Sequence, residues 1–282
     1  TIDPSLLKQE MQPKIVPPVL LLDYFDNLAP FYDQMKAQEL YRLPGLVHQL
    51  LRPALESDVS RHDMLDVGCG EGFVINFFRS LGWQVAGIDF SRFGVMSMNP
   101  ECLPFVEEGD VFKILEARIA AGARYDLVWL GNVLEHVLDP VGLLHKLRRL
   151  VSSDGMLLVT VPNDGSAYQE ELFNCGDIPS RFWIAVPDHI SYFTANSLKN
   201  TAKATGWQCL ALQGDFPIDL YLANEASNYV TERSRGPCAH KARLRLERLI
   251  GMAGLDAANR FYASLADVGL GRNLTAYLSP QP

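Results

Sequence analysis

Residues 64–72, MLDVGCGEG, join an apolar run ending in an acidic residue, Asp66, to glycine at three alternate positions, Gly68, Gly70 and Gly72. A turn with so few side chains reaches backbone conformations closed to other residues and lets the main chain approach a ligand. When a helix follows, its free N–H groups face that ligand. The stretch therefore predicts a strand–turn–helix unit of an α/β fold with a ligand site at the strand's carboxyl end. A dinucleotide fingerprint, G-x-G-x-x-G, requires a third glycine, and Phe73 stands there. An acid beside the turn also repels a pyrophosphate and favours a cationic ligand; Asp66 supplies it.

Downstream, QVAGIDFS at 84–91 reads as a second strand ending at Asp89, about twenty residues beyond the turn, where an acid accepts hydrogen bonds from ribose hydroxyls. Strand and helix then alternate: strand near 62–67, helix 73–81, strand 84–89, short helix 92–98, strand near 103–107, helix 111–121, strand 125–131, helix 140–151 and strand 155–161. A helix at 195–205 and a strand at 207–213 follow, and GRNLTAYL alternates as a returning edge strand. Such alternation makes a parallel sheet with right-handed crossovers.

Taken together, MLDVGCGEG, Asp89, the GD pair at 109–110, YDLVWLGNVLEHVLDP at 125–140 and GMLLVTVPN at 155–163 resemble, in order and spacing, the motifs of class I S-adenosylmethionine-dependent methyltransferases. The resemblance implies a Rossmann-like, doubly wound, mostly parallel seven-stranded sheet with an antiparallel edge strand and helical cap insertions. It implies S-adenosylmethionine as cofactor, with Asp66, Gly68, Gly70, Asp89, Phe90, Asp110 and Asn132 lining the donor site. Helical spacing on either side of Pro30 and Pro44 predicts short helices ahead of the core. In the family such helices cover the donor, and LAPFYD resembles the segment that brings an aromatic to it, which nominates Tyr32. The expected organisation is a helical lid over 1–60 and a methyltransferase domain over 61–282 with insertions at 163–192 and 214–270.

At 282 residues and 48% hydrophobic content, the chain can bury one large core. Lys plus Arg of 25 against Asp plus Glu of 33 gives −8, without the basic footprint that nucleic-acid binding requires; a small-molecule substrate is expected. The basic run HKARLRLER is interleaved with Leu244, Leu246, Leu249 and Ile250, the pattern of an amphipathic helix with a solvated face. With LDAANRFYASLADVG it predicts a helix pair forming a substrate-side cap or a homodimer surface. Five cysteines lack any C-x-x-C pair, which argues for a reducing, cytoplasmic compartment over a disulfide framework. The start of the chain lacks a basic segment followed by an apolar core, and no run reaches the roughly 20 apolar residues of a membrane span, so neither export nor membrane insertion is expected.

Methyl transfer is an in-line displacement in which orientation supplies much of the rate. A hydroxyl or acidic-carbon acceptor must also lose a proton, and histidine, with an ordinary pKa of about 6.5, suits that task. His189, in VPDHISYFT after the long 163–192 loop, is the first candidate, with Asp188 beside it and Tyr192 three residues on. The segment resembles the E-H-x-x-Y-F-S stretch of nucleotide-sugar methyltransferases, in which the histidine stands near the acceptor; here Asp188 replaces the Glu. The alternative for His189 is a cap on the next helix. His136, in NVLEHV, is the second candidate, facing the methyl-transfer pocket or forming its wall. Asn132, Asp139, Asn163 and Asp164 are of the right type for a metal-assisted variant, but their spacing does not match one, and no metal is expected. The reading is methyl transfer to a hydroxyl of a sugar, polysaccharide precursor or secondary metabolite; the alternative is a donor-binding regulatory or scaffold protein without turnover.

Overall fold

The apolar strands Asp63–Val67 (β1) and Tyr125–Gly131 (β4) bury runs of four consecutive side chains, Met64–Val67 and Leu127–Leu130, as central strands covered on both faces must. They anchor a seven-stranded sheet. The computed structural model describes residues 62–281; the expected 1–60 lid and Tyr32 lie outside the described residues. After β1 come Phe73–Ser80 (α1), Gln84–Asp89 (β2), Phe93–Met98 (α2), Val106–Glu108 (β3), Val111–Ala120 (α3), β4, Pro140–Arg148 (α4) and Val151–Pro162 (β5). Ala167–Asn174 (α5), Ala195–Ala204 (α6), Trp207–Gly214 (β6), Gly236–Met252 (α7), Leu255–Asp267 (α8) and Asn273–Pro280 (β7) follow, and the strands lie side by side in the order β3-β2-β1-β4-β5-β7-β6.

Period-2 alternation divides the core between the sheet's faces. Leu65, Val67, Val128, Leu130, Leu157 and Val159 pack on one face with Leu143 and Leu147 of α4 and Leu198 of α6. Met64, Leu127, Trp129, Met156, Leu158 and Tyr277 pack on the other with Phe78 of α1. β1 pairs in parallel with both β2 and β4, so the chain winds outward in opposite directions from β1, and the crevice between β1 and β4 opens at their carboxyl ends. This is where an open α/β sheet receives its ligand.

The sheet departs from the expected one in three places. β7 is not outermost: it lies between β5 and β6, antiparallel to both, so the last strand of the chain is buried on both flanks and β6 forms the edge. The strand expected near 103–107 begins only at Val106, because Pro100–Phe105 is a 3-10 turn with Pro104 inside it, and proline cannot donate to a ladder. β5 begins at Val151 and not at 155, with an irregularity opposite Tyr125 and Leu127 absorbing the extra residues. The first insertion is not all loop either. Ser166 and Gln169 form a capping box that starts α5, a signal present in the sequence as S-x-x-Q. Among the described residues no helix is long and apolar enough to cross a membrane.

Where β6 ends and β7 begins, Gly214 and Gly271 bring two backbones together. A Cβ on Gly214 would lie 2.4 Å from the Leu270 carbonyl oxygen and 3.2 Å from the Ala266 nitrogen, main-chain atoms that no rotamer change can move. Gly214→Ala is expected to lose about 1–3 kcal/mol of stability, seen in a urea melt as a lower midpoint with an unchanged slope; a midpoint equal to wild type would contradict this close approach.

Candidate functional site

The turn after β1 is built from backbone. Gly68, Gly70 and Gly72 have φ of 75°, 52° and 77°, the left-handed region that glycine enters without a Cβ penalty. A Cβ on Gly68 would meet Val133 Cγ2 at 2.2 Å, whereas one on Gly70 would meet no atom within 4 Å and would project into open space. Asp89 braces this turn: its Oδ2 accepts from the Gly70 N–H at 2.8 Å and its Oδ1 from the Ser91 N–H at 3.1 Å. Gly68 N–H donates to the Ile88 carbonyl at 2.8 Å, tying the turn to β2.

Around this turn the sequence candidates separate by environment. Asp66 and Asp89 are buried, while Phe90, immediately after, is 82% exposed. Asp110 is exposed and accepts from the Lys113 N–H at 3.0 Å, capping α3. Asn132, just past β4, is exposed with φ 55°, and its N–H donates to the Thr160 carbonyl at 2.8 Å. Burial, then the nearby Asp66 and Asp89 charges, push the Cys69 thiol far up, so it stays a neutral packing group.

Beyond β4 and β5 a second set of residues converges. His189 Nδ1 lies 3.1 Å from Asp164 Oδ2, and Arg272 Nη1 donates to Asp164 Oδ1 at 2.9 Å. Asp164 is almost fully buried and His189 mostly so. The rings of His136 and His189 meet edge to face with centroids 5.0 Å apart, and Tyr192 stands 6.3 Å from His189. His136 Nδ1 hydrogen-bonds the Asp188 carbonyl oxygen at 2.7 Å, and its Nε2 is 3.6 Å from Glu135 Oε1. The loop is pinned at Glu135, whose carbonyl accepts from Ile190 N–H at 2.8 Å and Ser191 N–H at 3.1 Å.

This arrangement adds a partner and removes an alternative. The acid paired with His189 is Asp164, while the backbone carbonyl of its neighbour Asp188 serves His136. The helix after His189 is capped by Thr194 through a capping box with Ser197, so His189 is not its cap. Of the metal candidates, Asp139 caps α4 through the Gly142 N–H at 2.8 Å, and Asn163 spends its amide on the Gly269 and Gly271 carbonyls at 3.1 and 3.0 Å. Glu135, His136 and His189 instead each offer a donor atom within 4.8 Å of the others. The sequence does not assemble that set, because Glu135 and His136 follow β4 while His189 lies beyond β5.

The second insertion packs on the first. Asp219 accepts from Gln169 Nε2 at 2.9 Å and from the Tyr229 hydroxyl at 3.0 Å, and burial, with Asp219 beside it, pushes the Tyr229 phenol up. Leu172, Ile178 and Trp183 of the first insertion pack with Leu222 of the second. The Arg272 guanidinium sits 5.8 Å from the Phe182 ring centroid.

Comparison with known proteins gives this geometry a context. The family model described as "Methyltransferase domain" matches residues 35–212. A "Probable S-adenosylmethionine-dependent methyltransferase" of Mycobacterium tuberculosis (strain CDC 1551 / Oshkosh) is 27% identical over 120 residues, 41% of this chain and 41% of that protein. A ubiquinone biosynthesis O-methyltransferase of Nitrosomonas europaea is 33% identical over 107 residues, 37% of this chain and 46% of that one. The matches thus span less than half the length of these relatives. In fold, the plantazolicin methyltransferase BamL, solved with a triazolic desmethylPZN analog and SAH, superposes with a TM-score of 0.53 at 13% identity, covering 92% of this chain and 90% of its own. The related BpumL complex with SAH gives 0.52 at 14% identity, covering 95% and 91%.

Glu135 also writes a pH signature. Its side chain is 1% exposed, and burial pushes its carboxyl up from the ordinary value, against its own backbone amide and the two imidazoles. The charged form is therefore the disfavoured one in the folded chain. Below the ordinary carboxylate pKa of about 4.3 this penalty is absent, and it grows as pH rises through the raised folded value. In chelator-treated protein, Glu135→Gln is expected to gain melting temperature relative to wild type as pH goes from acid to neutral; a gap that is constant or shrinks with pH would contradict a raised Glu135 pKa.

Proposed function

The chain belongs to the methyltransferase-domain family, and we propose that it uses S-adenosylmethionine as methyl donor and methylates a hydroxyl of a small-molecule acceptor, with His189 as general base. The observation that carries this reading is the Asp164–His189 pair at the carboxyl edge of the sheet that bears the glycine turn. The relatives named as O-methyltransferases support an oxygen acceptor. The aromatic insertions support a sugar, polysaccharide precursor or secondary metabolite, since a few polar groups on an apolar wall fix a ligand's orientation. The net charge of −8 favours such a substrate over a nucleic acid.

The donor site fits the glycine turn. Gly70 faces space that a Cβ would fill, the carboxylates of Asp66 and Asp89 suit a cation and a ribose, and exposed Phe90 offers a ring face to the adenine. Gly68, Asp110 and Asn132 would complete the wall. Bound there, the donor supplies an electrophilic methyl group on sulfur. The chain's own task is to present the acceptor oxygen and take its proton. The Asp164 carboxylate accepts from Nδ1–H of His189, which leaves the Nε2 lone pair as the proton acceptor and stabilises the imidazolium that forms, the orienting logic of a base held by an acid. His136 and Tyr192 line the same wall. Exposed Leu246, Leu249 and Met252 support a homodimer surface on the C-terminal helices.

Calorimetry tests the donor side: S-adenosylmethionine should bind and NAD should not, and Gly70→Ala should weaken binding at least tenfold while costing the fold only about 1–2 kcal/mol for its left-handed φ. Binding unchanged in that variant would remove the turn from the donor site. On the acceptor side, His189→Ala should lower kcat by about 10²–10⁴ with little change in donor affinity, measured against a panel of nucleotide sugars and phenols. Undiminished turnover at neutral pH would remove His189 as base.

A further inference from the structure

We propose that Glu135, His136 and His189 form a binding site for a divalent transition-metal ion of the zinc class. One donor atom from each lies within 4.8 Å of the others, and Glu135 Oε1 is already 3.6 Å from His136 Nε2. A tetrahedral ion with bonds of about 2.0–2.2 Å holds its ligand atoms about 3.4 Å apart, so the set has only to tighten to take one. Each residue is also prepared for the task. Both imidazoles engage Nδ1 elsewhere, His136 with the Asp188 carbonyl oxygen at 2.7 Å and His189 with Asp164 Oδ2 at 3.1 Å. That engagement fixes the tautomer and leaves each Nε2 lone pair free, the outer-shell arrangement of metal-binding histidines.

Glu135 supplies an independent observation. Its side chain is 1% exposed, and its Oε2 is buried with no hydrogen-bond partner. Leaving a buried acceptor unmatched is costly, more so when it is charged, and a cation coordinated there satisfies it. Two imidazoles and one carboxylate select zinc, cobalt or nickel over magnesium or calcium, which take all-oxygen shells. Three protein ligands leave a position open for water or a substrate oxygen.

The site rests on the geometry of the cluster and not on the general-base reading, because the ion and the acceptor's proton use the same lone pair of His189. The metal-free chain is therefore the form in which His189 takes a proton, and loading the site suppresses that role.

The test uses the full chain, stripped with chelator and titrated with Co²⁺. The expected result is a stoichiometric visible d–d band of a four-coordinate ion, absent in Glu135→Gln and in His136→Ala and retained in His145→Ala, an exposed histidine on α4. His136 is half-exposed, so its variant is expected to keep the wild-type circular dichroism spectrum and stays informative if Glu135→Gln does not. No band in wild type, or a band undiminished in both cluster variants, overturns the site. Methyl transfer assayed in parallel keeps the two readings apart: activity lost on loading and restored by chelator supports both. Co²⁺ binding with turnover only in the loaded form keeps the site and overturns the His189 base.

Discussion

One buried carboxylate, Asp164, holds together segments that meet only in the folded chain. It accepts from Arg272 at the entry to β7 and from His189 in the first insertion, while its own N–H donates to the Phe193 carbonyl at 3.1 Å. A charge this deeply buried is tolerated only when paired and hydrogen-bonded, and removing one partner of such a pair costs about 3–5 kcal/mol. Asp164 therefore constrains both the stability of the β5–β7 junction and the orientation of the imidazole. The fold and the chemistry share a single residue, which sits where β5 ends because that is where the sheet opens.

The sheet places the donor turn at the same edge. β1 and β2 run in parallel register from Asp63↔Gln84 to Val67↔Ile88, so their carboxyl ends deliver Asp66 and Asp89 to either side of the glycines. The turn's shape is then maintained by hydrogen bonds between backbone and carboxylate, which lets it stay open to a ligand without collapsing inward. Donor and acceptor sides are thus set by neighbouring strand ends on one rigid sheet, the condition under which orientation contributes most to a displacement.

Much of this was legible in the sequence, for identifiable reasons. Gly68, Gly70 and Asp89 belong to a local pattern whose physical demands, positive φ and close backbone approach, leave a signature in consecutive residues. The core strands were legible because strands buried on both faces are nearly all apolar. What escaped was non-local. The strand neighbour of β7 depends on pairing across the chain, and the partner of His189 lies 25 residues away, beyond the reach of any local pattern. Glu135 reads as an ordinary acid until its burial and unmatched oxygen are seen. α5 was available through Ser166 and Gln169 but was hidden by the surrounding glycine and proline.

The account turns on which nitrogen of each imidazole holds the proton, since both the base and the metal site need free Nε2 lone pairs. A long-range ¹H–¹⁵N correlation spectrum of histidine-labelled, chelator-treated protein at neutral pH reads this directly. His189 and His136 should carry their tautomeric proton at Nδ1, with the His189 signals shifting toward the other tautomer in Asp164→Ala. A His189 ring protonated at Nε2 in the wild type would contradict the central claim.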